Sequence, residues 1–325
     1  MSKVKWGVLG TAGIARMATI PAMQQAENCA LYAIAGRSAE KAEQFKETFG
    51  FEKAYGSYDA MLADPEVEAV YIPLPNDLHR EWVLRAVKAK KHVLCEKPLA
   101  LTEKQAEEMF RAAEENGVFL MEAYAYLHSP IIDAFRKELD SGAIGEIRCL
   151  ESAFLGGVPK ENDYRWRREA GGGSQYDLGC YALSMALRMF GREPEEVHAS
   201  AYYGECGIDL FSSAILTFED GAIASLDCGM LSGTNRHDRF HVLGTRGEMY
   251  SPVAFNQSGE ILYTVVSGGK TETKTISVPN NYKLEVEQLG RCIRNGESPH
   301  VSQDFSLMVA RVQDRILAEI GFWNA

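Results

Sequence analysis

Lys97 closes a short apolar run, His92-Val93-Leu94-Cys95, as the middle residue of Glu96-Lys97-Pro98. An ammonium at a strand end faces whatever the sheet binds, because ligands of open α/β sheets lie beyond the carboxyl ends of the strands. A second group of reactive types follows Gly171-Gly172-Gly173, where Asp177 and Tyr181 are four residues apart on a helical stretch that runs to Phe190. That spacing puts the carboxylate and the phenol on one helix face. An ammonium, a carboxylate and a phenol are the parts from which a proton-transfer site is made. Each also has a plainer reading: a solvated strand-end charge, a helix-turn carboxylate and a core aromatic.

A third motif, Gly10-Thr11-Ala12-Gly13-Ile14-Ala15, lies between the first strand and the first helix. Glycine there allows a tight turn and a close approach to a pyrophosphate, which the helix N-terminus attracts. The pattern G-x-G-x-x-G has small alanines, Ala12 and Ala15, in its second and third slots. The next strand ends in Gly36-Arg37-Ser38 rather than in an acidic residue. A carboxylate at that point binds ribose hydroxyls and repels a 2′-phosphate, whereas Arg37 and Ser38 offer a charged fork and a hydroxyl. NADP(H) is therefore expected over NAD(H). Pro73-Leu74-Pro75-Asn76-Asp77-Leu78-His79 follows another strand, so Pro75, Asn76 and His79 join Glu96 and Lys97 as candidate cofactor contacts. Asn76 reads equally as a helix cap and His79 as a first-turn surface residue.

These groups need a scaffold, and the chain supplies one. From Lys3 to Leu120, short apolar strands alternate with helical patterns over 14–25, 39–49, 78–88 and 103–116, the signature of βαβ units around a parallel sheet. Thr102 and Asn116-Gly117 mark the two ends of the last of these helices. After Glu122 the period changes to longer alternating segments with turn residues such as Glu219-Asp220-Gly221 and Ser267-Gly268-Gly269, predicting an antiparallel sheet. Two domains, 1–121 and 122–325, are expected, as the length of 325 residues also suggests. The stretch 118–128 alternates, which places Glu122, Tyr124, Tyr126 and His128 on one strand face. Two helical segments, 282–295 and 305–320, close the chain.

Composition removes several classes of function. A net charge of −11 repels a phosphate backbone, so nucleic acid is not an expected partner. No apolar run approaches membrane-spanning length and no signal-peptide pattern opens the chain, so a cytoplasmic protein away from membranes is expected. Seven scattered cysteines without a C-x-x-C pair read as reduced thiols. His237 and His241 have the spacing of paired ligands but no acidic or cysteine partner in metal-motif spacing, so no metal is assigned.

Taken together and in order, the glycine turn, the proline–asparagine-to-histidine segment, Glu96-Lys97-Pro98, Glu122-Ala123-Tyr124 and the triple glycine followed by Asp177 resemble the glucose-fructose oxidoreductase, inositol dehydrogenase and rhizopine-catabolism (Gfo/Idh/MocA) family over essentially the whole chain. Many relatives carry histidine where Tyr181 stands; the tyrosine form resembles the branch of dimeric dihydrodiol dehydrogenase and NADP-dependent xylose dehydrogenases. The resemblance implies an α/β chain: an N-terminal Rossmann domain, a doubly wound parallel sheet, followed by an α+β domain with an open, mainly antiparallel sheet whose outer face forms homodimers or homotetramers. It implies hydride transfer between a nicotinamide and a sugar, polyol or related cyclic alcohol or carbonyl.

Within that chemistry Tyr181 exchanges the hydroxyl proton, Lys97 lowers the phenol pKa from its free value of roughly 10 and polarises the substrate oxygen, and Asp177 orients substrate or lysine. The resemblance also puts Tyr124 and Tyr126 beside the pocket, although the chain reads Tyr126-Leu127-His128-Ser129-Pro130 where relatives often have Tyr-Arg-Phe-His-Pro. Arg165 and Trp166, within Tyr164-Arg165-Trp166-Arg167, read equally as a substrate wall or a surface loop. The rival functions are trans-dihydrodiol oxidation, ketosugar or dicarbonyl reduction, and, of another class, a non-catalytic NADP-binding sensor.

Overall fold

The computed structural model describes residues 2–230, 237–252 and 255–324. The chain forms two compact units, Met1–His128 with Asn280–Leu307, and Ser129–Pro279 with Met308–Ala325.

In the first unit, strands β1 (Val4–Leu9), β2 (Cys29–Ala35), β3 (Lys53–Tyr55), β4 (Ala69–Ile72), β5 (His92–Glu96) and β6 (Leu120–Ala123) form one parallel sheet in the order β3-β2-β1-β4-β5-β6. This is the doubly wound Rossmann arrangement, with its topological switch between β1 and β4. Every residue of β4 is buried, as a strand covered on both faces requires. Helices α1 (Ile20–Gln25), α2 (Ala39–Phe49), α3 (Tyr58–Leu62), α4 (Asn76–Lys88) and α5 (Glu103–Asn116) complete the βα units. Ser38 caps α2 by accepting from Lys41 N at 3.3 Å, and Thr102 caps α5 by accepting from Gln105 N at 3.3 Å.

Three details of this unit differ from the periodicity. The segment expected as one helix, 14–25, holds a π-helical turn, Ala15–Thr19, before α1. Pro21 has no amide hydrogen, so the regular bond to Met17 cannot form and the ladder loosens there. The alternating stretch 118–128 is not one strand: β6 ends at Ala123 and a 3₁₀ turn spans Ala125–His128, with Leu127 N donating to Tyr124 O at 2.9 Å. Tyr124, Tyr126 and His128 therefore do not share a strand face with Glu122. Finally, α8 (Asn281–Asn295) packs on α1, β1, β2 and β5 in this unit. Asn280 caps it, and Arg294 grips both carboxylate oxygens of Glu68 at 2.8 and 2.7 Å.

The second unit is built on an eight-stranded sheet in the order β14-β13-β12-β11-β7-β10-β9-β8. Its strands are β7 (Ile147–Gly156), β8 (Glu196–Tyr203), β9 (Asp209–Thr217), β10 (Ile223–Met230), β11 (His237–Gly244), β12 (Gly247–Ser251), β13 (Gly259–Ser267) and β14 (Lys270–Val278). All neighbours are antiparallel except β7 and β10, which run parallel. Helices α6 (Pro130–Asp140) and α7 (Cys180–Phe190) pack against this sheet, α7 on β7 and β10 and α6 on β14. The closing helix α9 (Gln303–Glu319) belongs to this unit from Met308 onward. Ile215, Ile223, Tyr250 and Leu262 alternate with buried strand neighbours and stay exposed. Among the described residues no helix is long and apolar enough to cross a membrane.

Candidate active site

A cavity of about 460 Å³ in the first unit is lined by Gly10, Thr11, Ala12, Arg37, Ser38, Lys41, Tyr58, Pro73, Leu74 and Pro75. It lies where β1, β2 and β4 end, which is where a doubly wound sheet binds a dinucleotide. Gly10 has φ +109°, a region closed to side chains, and a Cβ there would come within 3.1 Å of Leu74 Cδ2 and 3.4 Å of Tyr58 Oη. Its amide donates to Ala35 O at 2.8 Å, which pins the turn to β2. Arg37 is exposed and Ser38 half-buried, and the hydroxyl of Ser38 doubles as the cap of α2. Lys41, in the first turn of α2, brings a second cation to this rim, and among the described residues no carboxylate lines the cavity. The cavity, the glycine cradle and the cationic rim fit a dinucleotide with an added phosphate.

Asn76 is buried as the first residue of α4; the capping position is Pro75, and no side chain caps this helix. His79 is fully buried, contrary to a surface placement, and its ring nitrogens lie 2.9 Å from Pro98 O and 2.8 Å from Leu74 O. The imidazole thus ties the cavity-lining loop at Leu74 to the segment that follows Lys97. Burial pushes its pKa down.

Lys97 is half-buried at the end of β5, with Pro98 and Leu99 buried behind it. Glu96 turns its carboxylate inward: Tyr71 Oη donates to Oε1 at 2.5 Å, and Thr19 Oγ1 donates to Tyr71 Oη at 2.9 Å. Burial and the nearby Glu96 charge raise the Tyr71 phenol well above its usual range, so it stays a donor. Glu122, fully buried on β6, accepts from Leu99 N at 2.8 Å. Burial pushes its carboxyl up to about 7, against the opposing pull of the Leu99 amide and of the Lys97 charge.

In the second unit a π-helical turn, Gln175–Gly179, carries Asp177 and leads into α7, whose second residue is Tyr181. Arg165 Nε pairs with Asp177 Oδ2 at 2.8 Å, while Arg165 Nη1 reaches Asp163 at 3.1 Å. The Tyr181 ring packs edge-on against Phe154 and Phe255, with centroids 5.3 and 5.4 Å away, and its hydroxyl accepts from Asn256 Nδ2 at 3.2 Å. The phenol is thus held on two sides by rings and at its tip by an amide, one helical turn from the Asp177–Arg165 pair.

Two comparisons by sequence now bear on this geometry. Residues 4–124 match the oxidoreductase family with the NAD-binding Rossmann fold (Gfo/Idh/MocA), and residues 132–250 match the Gfo/Idh/MocA C-terminal domain. The chain belongs to the Gfo/Idh/MocA oxidoreductase family. It is 37% identical over 317 residues to D-xylose 1-dehydrogenase (NADP(+)) 2 of Haloferax volcanii, covering 96% of this chain and 95% of that one. It is 31% identical to trans-1,2-dihydrobenzene-1,2-diol dehydrogenase of Xenopus laevis, covering 98% of each. Among solved structures, KijD10, a 3-ketoreductase from Actinomadura kijaniata in complex with NADP and TDP-benzene, superposes with a TM-score of 0.92 at 30% identity and 98% coverage of both chains.

As a Gfo/Idh/MocA oxidoreductase the chain has several site-forming residues that its motifs do not announce. Lys41 and Tyr58 reach the cavity from α2 and α3. Phe154, Phe255 and Asn256 come to Tyr181 from β7 and from the segment before β13, remote in sequence and visible only once the strands are paired. Tyr124 and Tyr126 are both almost fully buried and meet edge to face at 6.2 Å within the first unit. Trp166 packs against the cluster of Leu178, Ile208, Cys228 and Met230, and its indole donates to Lys160 O at 2.9 Å. Of the pair at 165 and 166, Arg165 is joined to Asp177 and Trp166 to the core. Among the described residues no group of three His, Cys, Asp or Glu is arranged to hold a metal.

Proposed function

We propose that this family member is an NADP(H)-dependent dehydrogenase that moves a hydride between the nicotinamide and a carbon bearing a hydroxyl or carbonyl group in a sugar or polyol. The observation that carries the reading is the cavity rim of Arg37, Ser38 and Lys41 at the end of β2, where no carboxylate stands among the described lining residues. The glycine turn at Gly10–Ile14 would hold the pyrophosphate, Arg37, Ser38 and Lys41 the 2′-phosphate, and Pro75 with Asn76 the path toward the nicotinamide. When bound, NADP supplies the hydride acceptor, and the protein supplies everything that happens to the proton.

At the reacting oxygen, Lys97 donates a hydrogen bond and stabilises developing negative charge. Tyr181 takes or returns the hydroxyl proton, its ring orientation fixed by Phe154 and Phe255. Asp177, held in place by Arg165, orients the substrate by accepting a hydrogen bond from it. The relatives that act on D-xylose and on a trans-dihydrodiol define the first compounds to try. Reduction of a ketosugar uses the same residues in reverse, and the relative named a 3-ketoreductase supports it as the second reading. The exposed Ile215, Ile223, Tyr250 and Leu262 support association of copies through the outer face of the eight-stranded sheet, and a cytoplasmic setting accords with this chemistry.

The test is turnover of purified protein with D-xylose or trans-1,2-dihydrobenzene-1,2-diol, read by the near-ultraviolet absorbance of reduced nicotinamide. Oxidation with NADP⁺ preferred over NAD⁺ supports the reading. Tight NADP⁺ binding without turnover of any sugar or diol would make the chain a sensor instead.

A further inference from the structure

Asp209 opens β9 with its side chain fully buried. Its Oδ2 accepts two hydrogen bonds, from Ser174 Oγ and from Gln175 N, each at 2.6 Å. These two donors stand at the start of the π-helical turn that carries Asp177 and runs on to Tyr181. A further tie reinforces the first: Ser212 Oγ, also on β9, donates to Gln175 Oε1 at 2.9 Å. The Gln175 side chain in turn lies so close to Gly179 that a Cβ there would come within 2.6 Å of it.

The preceding glycines make room for this contact. Gly173 has φ +97°, and a Cβ on it would stand 2.0 Å from Asp209 Oδ1. A Cβ on Gly172 would stand 2.3 Å from Arg165 O, and Gly173 N donates to that carbonyl at 2.9 Å. The triple glycine therefore brings the chain against a buried carboxylate on one side and the Arg165 turn on the other. Burial pushes Asp209 up to about 6, opposed by Ser174 and the Gln175 amide. Both bonds are short, at 2.6 Å, and they hold the carboxyl to the start of the turn.

We propose that Asp209 is a positioning residue of the active site, fixing the Ser174–Gln175 turn so that Asp177 and Tyr181 present their oxygens to one substrate hydroxyl. Asp209 acts through the backbone of that turn, not on the substrate. The inference rests on Asp177 and Tyr181 belonging to the reacting set, and its failure can be told from the failure of that reading.

Asp209→Ala removes both acceptors, Asp209→Asn keeps an oxygen that can accept the same two bonds, and Ser174→Ala deletes one donor. With D-xylose, trans-1,2-dihydrobenzene-1,2-diol and NADP⁺ as probes, Asp209→Ala should lower kcat by a factor of about 100, consistent with loss of alignment. Its NADP⁺ affinity should stay within about twofold, because neither Asp209 nor the turn it holds lines the cavity. Asp209→Asn should recover most of kcat, and Ser174→Ala should fall between. Hydrogen exchange should rise over 173–181 in Asp209→Ala while the amides of β7 and β10 keep their protection, a readout that needs no substrate. Wild-type kcat in Asp209→Ala, unchanged exchange at the turn, or unfolding of the whole unit would overturn the proposal. If Tyr181→Phe also leaves turnover intact, the reading of the reacting set has failed; if only the Asp209 variants are silent, the positioning role alone has.

Discussion

Arg165 Nε lies 2.8 Å from Asp177 Oδ2, so the carboxylate nearest Tyr181 along the helix is held by a guanidinium from a turn that precedes the glycines. The pairing fixes the direction in which the Asp177 carboxylate faces. Arg165→Ala should therefore impair turnover as Asp177→Asn does, each lowering kcat/KM by roughly 10–100-fold through lost alignment. The double variant should be little worse than either alone, because both remove one interaction. Steady-state kinetics on the three variants decides this; fully additive losses would mean that the two residues act separately.

The proposed function gives cofactor choice to Arg37, Ser38 and Lys41, which line the cavity. Replacing Arg37 or Lys41 by Ala should weaken NADP⁺ binding by roughly tenfold each, the scale of one charge-assisted phosphate contact, with little change for NAD⁺. Ser38→Asp should penalise NADP⁺ further by placing a negative charge against the phosphate. Titration of both dinucleotides by tryptophan fluorescence measures the ratio, and equal losses for the two would remove the assignment.

Glu122 gives the stability of the first unit a definite pH dependence. Its folded pKa of about 7 lies above the ordinary 4.5, so folding favours the protonated form. That contribution is fully present below the ordinary value and is lost as pH rises through about 7. The shift corresponds to roughly 3 kcal/mol as an upper figure. Glu122→Gln should flatten the decline in denaturation midpoint between mildly acidic and mildly alkaline pH, and should gain on the wild type at the alkaline end. An unchanged slope would show that another group carries it.

The His79 ring sits between two backbone segments, and its loss should be felt at both. A neutral imidazole has one N–H, so His79→Ala leaves one of the Leu74 and Pro98 carbonyls without its donor and should cost roughly 1–3 kcal/mol of stability. It should also weaken NADP⁺ binding several-fold, since Leu74 lines the cavity. Normal affinity in a destabilised variant would confine His79 to a structural part.

Much of this architecture was legible from local pattern, because long helices and two-sided strands carry their own signals. Thr102 with Gly117, and Ser38 with Gly50, frame α5 and α2 as capping chemistry predicts. What escaped was short or made elsewhere. The three-residue β3 and the five-residue α3 hold too few residues to show a period, yet α3 begins with Tyr58 of the cavity. The bend after Ala123 replaced an apparent strand because the backbone there hydrogen-bonds to itself rather than to a neighbour. The parallel pairing of β7 with β10 depends on which strands meet, which alternation does not encode. In the candidate site, Lys97, Asp177 and Tyr181 stood out by type and spacing. Asp209, Asn256 and Phe255 did not, because their roles come from tertiary contacts across tens of residues.

The proposed function requires both Lys97 and Tyr181 in the same turnover. It is tested most directly by comparing Lys97→Met, Tyr181→Phe and their double variant for NADP⁺-dependent oxidation of D-xylose or the trans-dihydrodiol, with NADP⁺ affinity measured in parallel. Each single change should reduce kcat by a factor of about 1,000 or more, with the double variant no lower than the worse single one and cofactor affinity nearly unchanged. Turnover at the wild-type rate in either single variant, or losses that multiply in the double, would contradict the account.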